Sequence, residues 1–318
     1  MLIAWLLAAL DLLAGIVPSR FLYALARGAG ALSIPVLERR RIAVRANQQR
    51  LHPEWGPREL DAAVRRVFEE TAAYYIDAAV MARRTPRDIL ANRLTVEGIE
   101  LLQEANQAGR GVVLAGAHLS NPEVPFHALA AVETEAHASG TRPDALALVE
   151  PVANRRQMAA LQRRRKTAGA RFAPATLDGV RQAVETLRAG GIVAVLIDRD
   201  IQGKGLCLPF AGRQARFPSG AIDLALRTEA TLLIGVAIRE RNDRFRVRFL
   251  PTDPLVRSDN RALDIRLNLA NLVRCIEPEI VAHSDQWRVV ESIWAPCHDT
   301  FYEDPADVAR GPEAVPHD

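Results

Sequence analysis

The sequence predicts an α/β fold, a single domain in which a mostly parallel, twisted sheet is flanked by helices. The first observation is a set of short apolar runs at residues 111–117, 145–149 and 192–197, each aliphatic and too short for a helix. Such runs are typical of strands buried on both faces. The second observation is that segments with helical spacing separate these runs, and this alternation favours a parallel sheet.

The N-terminal region, residues 1–37, is the most apolar part of the chain. Pro18–Arg20 interrupts it before a membrane span of about 20 residues is complete. No basic stretch precedes it, so we do not expect a cleaved signal peptide. We predict a pair of membrane-associating helices with Trp5, Phe21 and Tyr23 as interfacial anchors. The alternative is an ordinary helix packed against the core.

Helices dominate the next stretch of the chain. Residues 38–50 carry five arginines, which indicate a solvated helix face or a contact with lipid headgroups. Apolar residues near a 3.6-residue period predict a helix over 58–83. A short edge strand at 94–96 and a helix over 98–107 then lead into the buried strand at 111–117.

The second half continues the alternation of helices and strands. Val180, Val184 and Leu187 form the inner face of a helix that ends at Gly190–Gly191. Residues 203–218 are rich in glycine and proline and are predicted to form a loop. The remaining predicted elements are a basic helix at 154–167, a helix at 220–227, a strand at 231–238, an alternating edge strand at 245–250 after a tight turn at Asn242–Asp243, and a helix at 261–283.

These elements divide the chain into three parts. Residues 1–37 are the apolar membrane-associating helices and residues 38–302 are the α/β domain. Residues 303–318 are polar and contain proline, which predicts a disordered tail.

Composition excludes several function classes. Aromatic residues make up 5% of the chain, which argues against a stacking platform for single-stranded nucleic acid. The formal net charge of +3 permits attraction to an anionic membrane or substrate without requiring nucleic acid. Cys207, Cys275 and Cys297 are odd in number and widely spaced, so we expect reduced thiols in a cytoplasmic setting. No metal is expected, because nothing supplies three convergent ligands.

His118 is the first candidate for catalysis. It follows the buried strand at 111–117, and Glu123 lies five positions later in the opening turn of the next helix. Open α/β sheets bind ligands at the carboxyl ends of their strands. There a carboxylate could orient the imidazole while the ring removes a proton from an alcohol. The alternative is that His118 satisfies a backbone group and Glu123 complements the helix dipole.

Asp198 is a second potential partner for the imidazole. It follows the strand at 192–197 and is itself followed by Arg199 and Asp200. If the two strands are parallel, Asp198 and His118 emerge from the same edge of the sheet. The sequence alone leaves open which of Glu123 and Asp198 contacts the ring.

These motifs together resemble the lysophospholipid and lipid A acyltransferase superfamily, and specifically its lauroyl and myristoyl acyltransferases and the phosphatidylinositol mannoside acyltransferases. AHLSNPE supplies the His-x4-Asp/Glu motif, and LIDRDIQGKG resembles the acidic motif after the next strand. LPFAGRQARFPSGAIDLALRTEA and DQWRVVESIW resemble later family elements, and the likeness covers roughly residues 15–294. It implies a glycerol-phosphate acyltransferase-like fold.

The resemblance also implies roles for individual residues. His118 is expected to be the general base, with Glu123 and Asp198 orienting it and Asp198 favoured as the direct partner. Arg164 or Arg165, in LQRRRKTAG, is expected to bind a phosphate or the developing oxyanion, with Arg163 adjacent. The other predicted substrate-binding residues are Arg199 and Asp200.

The implied reaction moves a fatty acyl group from an acyl thioester to a hydroxyl of a membrane glycolipid. The donor is acyl-CoA or acyl carrier protein, and no cofactor is expected. The Asp-Arg-Asp sequence at 198–200 leans toward the mannoside branch, so a phosphatidylinositol mannoside is the expected acceptor. The expected location is the cytoplasmic face of the cell membrane, peripheral or monotopic, and no nucleic-acid partner is expected.

Three other functions are compatible with the sequence. The chain could be a late acyltransferase of lipid A biosynthesis, or a non-catalytic lipid-binding protein, because fold does not determine function. It could also be a covalent hydrolase, since Ser120 lies near His118. The absence of a Gly-x-Ser-x-Gly elbow disfavours the hydrolase.

Overall fold

The computed structural model describes residues 13–136, 144–150 and 169–294. Within these ranges the strands are β1 (Leu94–Glu97), β2 (Val112–Gly116), β3 (Ala145–Val149), β4 (Arg171–Pro174), β5 (Ile192–Leu196), β6 (Leu206–Phe210), β7 (Arg213–Phe217), β8 (Thr231–Arg239) and β9 (Phe245–Pro251). The helices are α1 (Ser19–Ser33), α2 (Glu38–Leu51), α3 (Pro57–Met81), α4 (Pro86–Arg93), α5 (Ile99–Gln107), α6 (Val124–Ala136), α7 (Leu177–Arg188), α8 (Gly220–Thr228) and α9 (Arg261–Ala282).

Seven of these strands form one sheet in the spatial order β1–β9–β8–β2–β5–β3–β4. Neighbouring strands are parallel except for the antiparallel pair β8–β9. The sheet is therefore mostly parallel and is flanked by helices, which confirms the predicted fold class. Because β2, β5 and β8 run in the same direction, the segments that follow them leave from one edge of the sheet.

Strand β2 lies at the centre of the core. All five of its residues are buried. Val113 and Ala115 join one apolar cluster, which includes residues of α7, α8 and α9. Val112 and Leu114 join another, which includes residues of α4, α5 and α6. Alternate side chains of β2 thus face opposite helical layers, as the continuous apolar run predicted.

The predicted loop at 203–218 is wrong, because β6 and β7 form an antiparallel hairpin in this region. The two residues between the strands, Ala211 and Gly212, have φ values of 47° and 72°. A tight hairpin turn with two positive φ values normally carries asparagine or aspartate followed by glycine. Alanine at the first position is not typical of such a turn, so the sequence pattern does not indicate the hairpin. Cys207 in β6 is disulfide-bonded, so the expectation of reduced thiols is wrong for this residue, whereas Cys275 is free.

Strand β9 is not the edge strand that its alternating pattern predicted. It pairs with β8 on one side and in parallel with β1 on the other. Its half-buried Arg248 donates from Nε to Glu97 on β1, at 3.1 Å. An ion pair between neighbouring strands therefore accounts for this polar position in an interior strand.

Helix α1 packs on α3 and leaves an apolar face uncovered. Leu22 and Tyr23 are buried against α3, whereas Phe21, Leu25 and Leu32 are more than half exposed. Tyr23 is therefore a core residue and the prediction that it is an interfacial anchor is wrong. Among the described residues no helix combines the length and hydropathy needed to span a membrane. Trp5, the basic helix at 154–167 and the C-terminal tail lie outside the described residues.

We predict opposite effects on stability for two glycines of α1. A Cβ on Gly30 would lie 2.5 Å from the carbonyl oxygen of Phe68, whereas a Cβ on Gly28 would meet nothing within 4 Å. Gly30→Ala should lower the free energy of unfolding by about 1–3 kcal/mol through overpacking. Gly28→Ala should raise it by about 0.5–1 kcal/mol by reducing backbone entropy. Urea unfolding measures both, and a shift in the same direction would contradict this packing of α1 on α3.

Candidate active site

His118 and Asp198 are brought together by the pairing of β2 with β5. Gly116 and Leu196 are register partners. His118 and Asp198 each lie two residues after one of these partners, so they leave the sheet at the same level. The Nδ1 atom of His118 lies 2.8 Å from Oδ1 of Asp198. The backbone N–H of His118 donates to Oδ2 of the same carboxylate at 2.7 Å. One carboxylate therefore holds both the ring and the main chain of the histidine.

Trp287 completes the environment of this carboxylate. Its indole Nε1–H donates to Oδ2 of Asp198 at 2.7 Å, and Asp198 is fully buried. Burial alone raises the pKa of the Asp198 carboxyl, but the charge of His118 and the hydrogen bonds from His118 and Trp287 outweigh it and lower the pKa below its usual value. Asp198 is therefore ionised at neutral pH.

The imidazole of His118 is held at one nitrogen and remains partly open to solvent. Its side chain is 21% exposed. Because Nδ1 donates to the carboxylate, the neutral ring carries its lone pair on Nε2. This arrangement can take a proton at Nε2 while the carboxylate stabilises the resulting imidazolium.

A short segment after α9 supports the main chain around the histidine. The N–H of Ser120 donates to the carbonyl of Gln286 at 2.8 Å, and the N–H of Arg288 donates to the carbonyl of His118 at 2.9 Å. The Gln286 side chain both accepts from the N–H of Arg239 and donates to its carbonyl, at 2.8 and 3.0 Å. The segment thereby connects the turn after β2 to the end of β8.

Glu123 lies in the turn before α6 and contacts a different partner. Its N–H donates to Oδ1 of Asn121 at 2.9 Å. Its carboxylate accepts a hydrogen bond from the hydroxyl of Tyr74 at 2.8 Å. The guanidinium of Arg288 lies 4.1 Å from the centre of the Tyr74 ring. In this structure Asp198 contacts Nδ1 of the histidine, and Glu123 joins a neighbouring polar cluster.

The predicted substrate-binding residues differ in their surroundings. Arg199 pairs with Glu291 through Nε and lies 3.7 Å from Glu150. Asp200 accepts the N–H of Gly205 at 2.7 Å, which stabilises the loop before β6. Arg164 and Arg165 lie outside the described residues.

Ser120 has neither the exposure nor the contacts of a nucleophile. Its side chain is fully buried, and its Oγ has no hydrogen-bond partner among the described residues. Its φ of 41° places it in the left-handed region, where the chain turns away from β2. Its carbonyl accepts from the guanidinium of Arg288. These contacts give Ser120 a role in shaping the turn.

A buried ionic network underlies the site. Arg239, at the end of β8, donates to Glu70 at 2.6 Å and to Asp77 at 2.7 Å, and all three side chains are buried. Asp77 also accepts from the hydroxyl of Tyr23 at 2.7 Å and from the amide of Asn121 at 3.1 Å. Burial and Asp77 raise the pKa of Tyr23 well above its usual value, so the phenol stays protonated as a donor.

Two residues central to this geometry, Trp287 and Arg239, were not among the predicted site residues. Trp287 did lie within DQWRVVESIW, which carried part of the family resemblance. The motif indicates that Trp287 matters, but it does not indicate the contact of Trp287 with Asp198, which lies 89 residues earlier in the sequence. No sequence pattern indicates a site role for Arg239, apart from its position at the end of an apolar strand.

Comparison with known protein families matches residues 1–295 to the bacterial lipid A biosynthesis acyltransferases. The chain belongs to this family. Membership implies an acyltransferase that uses an acyl donor and a lipid acceptor. Comparison with curated proteins finds no match.

We predict that Trp287 stabilises the acyltransferase through Asp198. Trp287→Phe removes the indole donor and should lower the free energy of unfolding at neutral pH by about 1–3 kcal/mol. Because the folded pKa of Asp198 lies below its ordinary 3.8, its stabilisation is present above that pH and is lost as pH falls through the folded pKa. The variant should have a higher folded pKa and begin acid unfolding at a higher pH.

Trp294→Phe is the matched control, because its indole donates to the carbonyl of Phe210 at 3.3 Å and touches no carboxylate among the described residues. Urea unfolding across a pH series measures both variants. Parallel stability curves for the two variants would contradict the role assigned to Trp287.

Proposed function

We propose that the chain is a membrane-associated O-acyltransferase that moves a fatty acyl group from an acyl thioester to a hydroxyl of a glycolipid. The observation that carries this proposal is the His118 imidazole, partly exposed and held through Nδ1 by the buried Asp198. Family membership supports the reaction class. The thioester donor is acyl-CoA or acyl carrier protein, and His118 is the general base.

The proposed reaction needs no protein nucleophile. Nε2 of His118 takes the proton of the acceptor hydroxyl, and the oxygen attacks the thioester carbonyl to form a tetrahedral intermediate. Collapse of that intermediate breaks the carbon–sulfur bond, and the thiolate recovers the proton from the imidazolium. Asp198 stabilises the imidazolium between these two steps without becoming protonated itself.

The remaining predicted site residues are Glu123, which is assigned to the surroundings of the histidine, and four substrate-binding residues. Glu123 adds negative charge beside the histidine turn, through the cluster that it forms with Tyr74. Arg164 or Arg165 binds a phosphate of donor or acceptor, or the developing oxyanion, because guanidinium groups match such oxygens in geometry and charge. Arg199 and Asp200 border the same sheet edge directly after Asp198.

The proposed acceptor is a phosphatidylinositol mannoside-type glycolipid, supported by the Asp-Arg-Asp sequence at 198–200. Lipid A precursors are the competing acceptors, and they are favoured by the description of the matched family. The proposed location is the cytoplasmic face of the cell membrane. The exposed apolar face of α1 supports contact with the membrane.

The test is acyl transfer by the full-length protein. Purified protein, lipid extract from its host and labelled palmitoyl-CoA or palmitoyl carrier protein should yield a labelled glycolipid, whose identity gives the acceptor. His118→Ala should reduce the rate about 10²–10⁴-fold, the usual contribution of a general base. His283→Ala is the control, since it also removes an imidazole near the segment that contacts the histidine turn.

The possible outcomes separate the competing functions. Full transfer by a folded His118→Ala protein would overturn the assignment of the base. Release of free labelled fatty acid as the only product would indicate a hydrolase. Tight glycolipid binding without product from either donor would indicate a lipid-binding protein.

We further predict that Asp198 acts through His118 and not on substrate. Asp198→Asn should lower kcat about 10²–10⁴-fold and leave KM for both substrates nearly unchanged, because the carboxylate is fully buried. Glu123→Gln should have a smaller effect on kcat, because its carboxylate contacts Tyr74. Steady-state kinetics measure both, with the exposed Asp178→Asn as control. A raised KM with unchanged kcat in Asp198→Asn would contradict the positioning role.

A further inference from the structure

A cavity of about 730 Å³ lies between the N-terminal helices and the turn after β8. Its walls come from α1, α3, the end of α4 and residues 239–243. Three carboxylates line it, from Glu70, Glu240 and Asp243. Its cationic residues are Arg20, Arg27, Arg66, Arg93, Arg239 and Arg241. The lining therefore has an excess of positive charge.

Half of these arginines already have carboxylate partners. Arg239 pairs with Glu70 and with Asp77, which lies behind the cavity wall. Arg27 pairs with Asp243. Arg66 lies 3.9 Å from Glu70. The third lining carboxylate, Glu240, is taken by an arginine on β9, outside the cavity.

The other three arginines, Arg20, Arg93 and Arg241, have no carboxylate within 4 Å among the described residues. Arg93 is the most informative, because it is only 8% exposed. Its guanidinium donates to the carbonyl of Asp243 at 3.1 Å and to the hydroxyl of Ser19 at 3.0 Å. A buried cation that contacts only neutral groups is costly unless a counter-charge compensates it. An anion in the cavity would supply that charge.

The cavity also borders an apolar surface. Arg20 lies next to Phe21 on the exposed face of α1, and its guanidinium is 4.8 Å from the centre of the Phe21 ring. On this face Phe21, Leu25 and Leu32 are 53%, 71% and 78% exposed. Helices at membrane surfaces place their apolar face in the acyl region and their arginines at the phosphates of the headgroups.

We propose that this cavity binds the phosphate of a membrane phospholipid headgroup, with the apolar face of α1 in contact with the same leaflet. Free phosphate carries the same kind of charge, but the adjoining apolar face favours a phosphate that belongs to a lipid. The cavity is separate from His118, which is not among its lining residues, and the buried Arg239–Asp77–Asn121 contacts lie between the cavity and the histidine turn. Binding there requires no acyl transfer, so it stands or falls independently of the proposed reaction.

The test compares vesicle binding by full-length variants. Arg20→Gln combined with Arg241→Gln removes two exposed arginines from the cavity and leaves Arg93 and the buried network intact. Arg181→Gln combined with Arg188→Gln removes the same charge from the exposed side of α7 and is the matched control. Co-sedimentation is measured with vesicles of phosphatidylcholine alone and of phosphatidylcholine with phosphatidylglycerol. Calorimetric titration with inorganic phosphate at constant ionic strength tests the other source.

The wild type and the α7 control should prefer the phosphatidylglycerol vesicles equally. The cavity variant should bind them roughly ten- to thirtyfold more weakly, the expected effect of two arginines at a lipid surface. Equal weakening of both double variants would overturn the proposal, because it would show a non-specific charge effect. Unchanged binding by the cavity variant, or binding of inorganic phosphate without any vesicle preference, would also overturn it.

Discussion

The geometry of the site depends on one buried carboxylate. Asp198 receives three hydrogen bonds, from the backbone and ring of His118 and from the indole of Trp287. An ion in the interior is tolerated only when its desolvation is offset by such donors. The donors come from chain segments 80 and 89 residues away from Asp198. The orientation of the histidine therefore depends on the assembled sheet and on the segment that carries Trp287.

A second buried charge connects this site to the N-terminal helices. Arg239 ends β8 and holds Glu70 and Asp77 of α3, while Asp77 also binds Tyr23 of α1 and Asn121 of the histidine turn. Buried ion pairs add little net stability compared with apolar residues of the same size, but breaking one leaves an uncompensated charge. The network therefore favours a single arrangement of α1, α3 and the histidine turn.

Most of the fold could be predicted because its signals are local. The apolar runs of β2 and β5 are visible in the sequence, and parallel pairing then places His118 and Asp198 at one sheet edge. The choice between Glu123 and Asp198 could not be made locally, because it depends on the register that pairs Gly116 with Leu196. The interior position of β9 depends on its pairing with β1, about 150 residues earlier in the chain. The hairpin turn could not be recognised because Ala211 occupies a positive-φ position where asparagine or aspartate is usual. Trp287 acts through a contact that only the folded chain creates.

The surroundings of His118 favour a reaction in which the substrate supplies the nucleophile. Ser120, the nearest hydroxyl in sequence, is fully buried, and Asp198 is equally inaccessible. Of His118 and Asp198, only the imidazole reaches solvent. If His118 is the base, as proposed, it activates whichever hydroxyl lies against Nε2, so water and a lipid alcohol compete for that position. Under the proposed function, the acceptor is selected over water by the position of its hydroxyl relative to Nε2. Binding of the protein at a membrane surface raises the effective concentration of the lipid alcohol at that position.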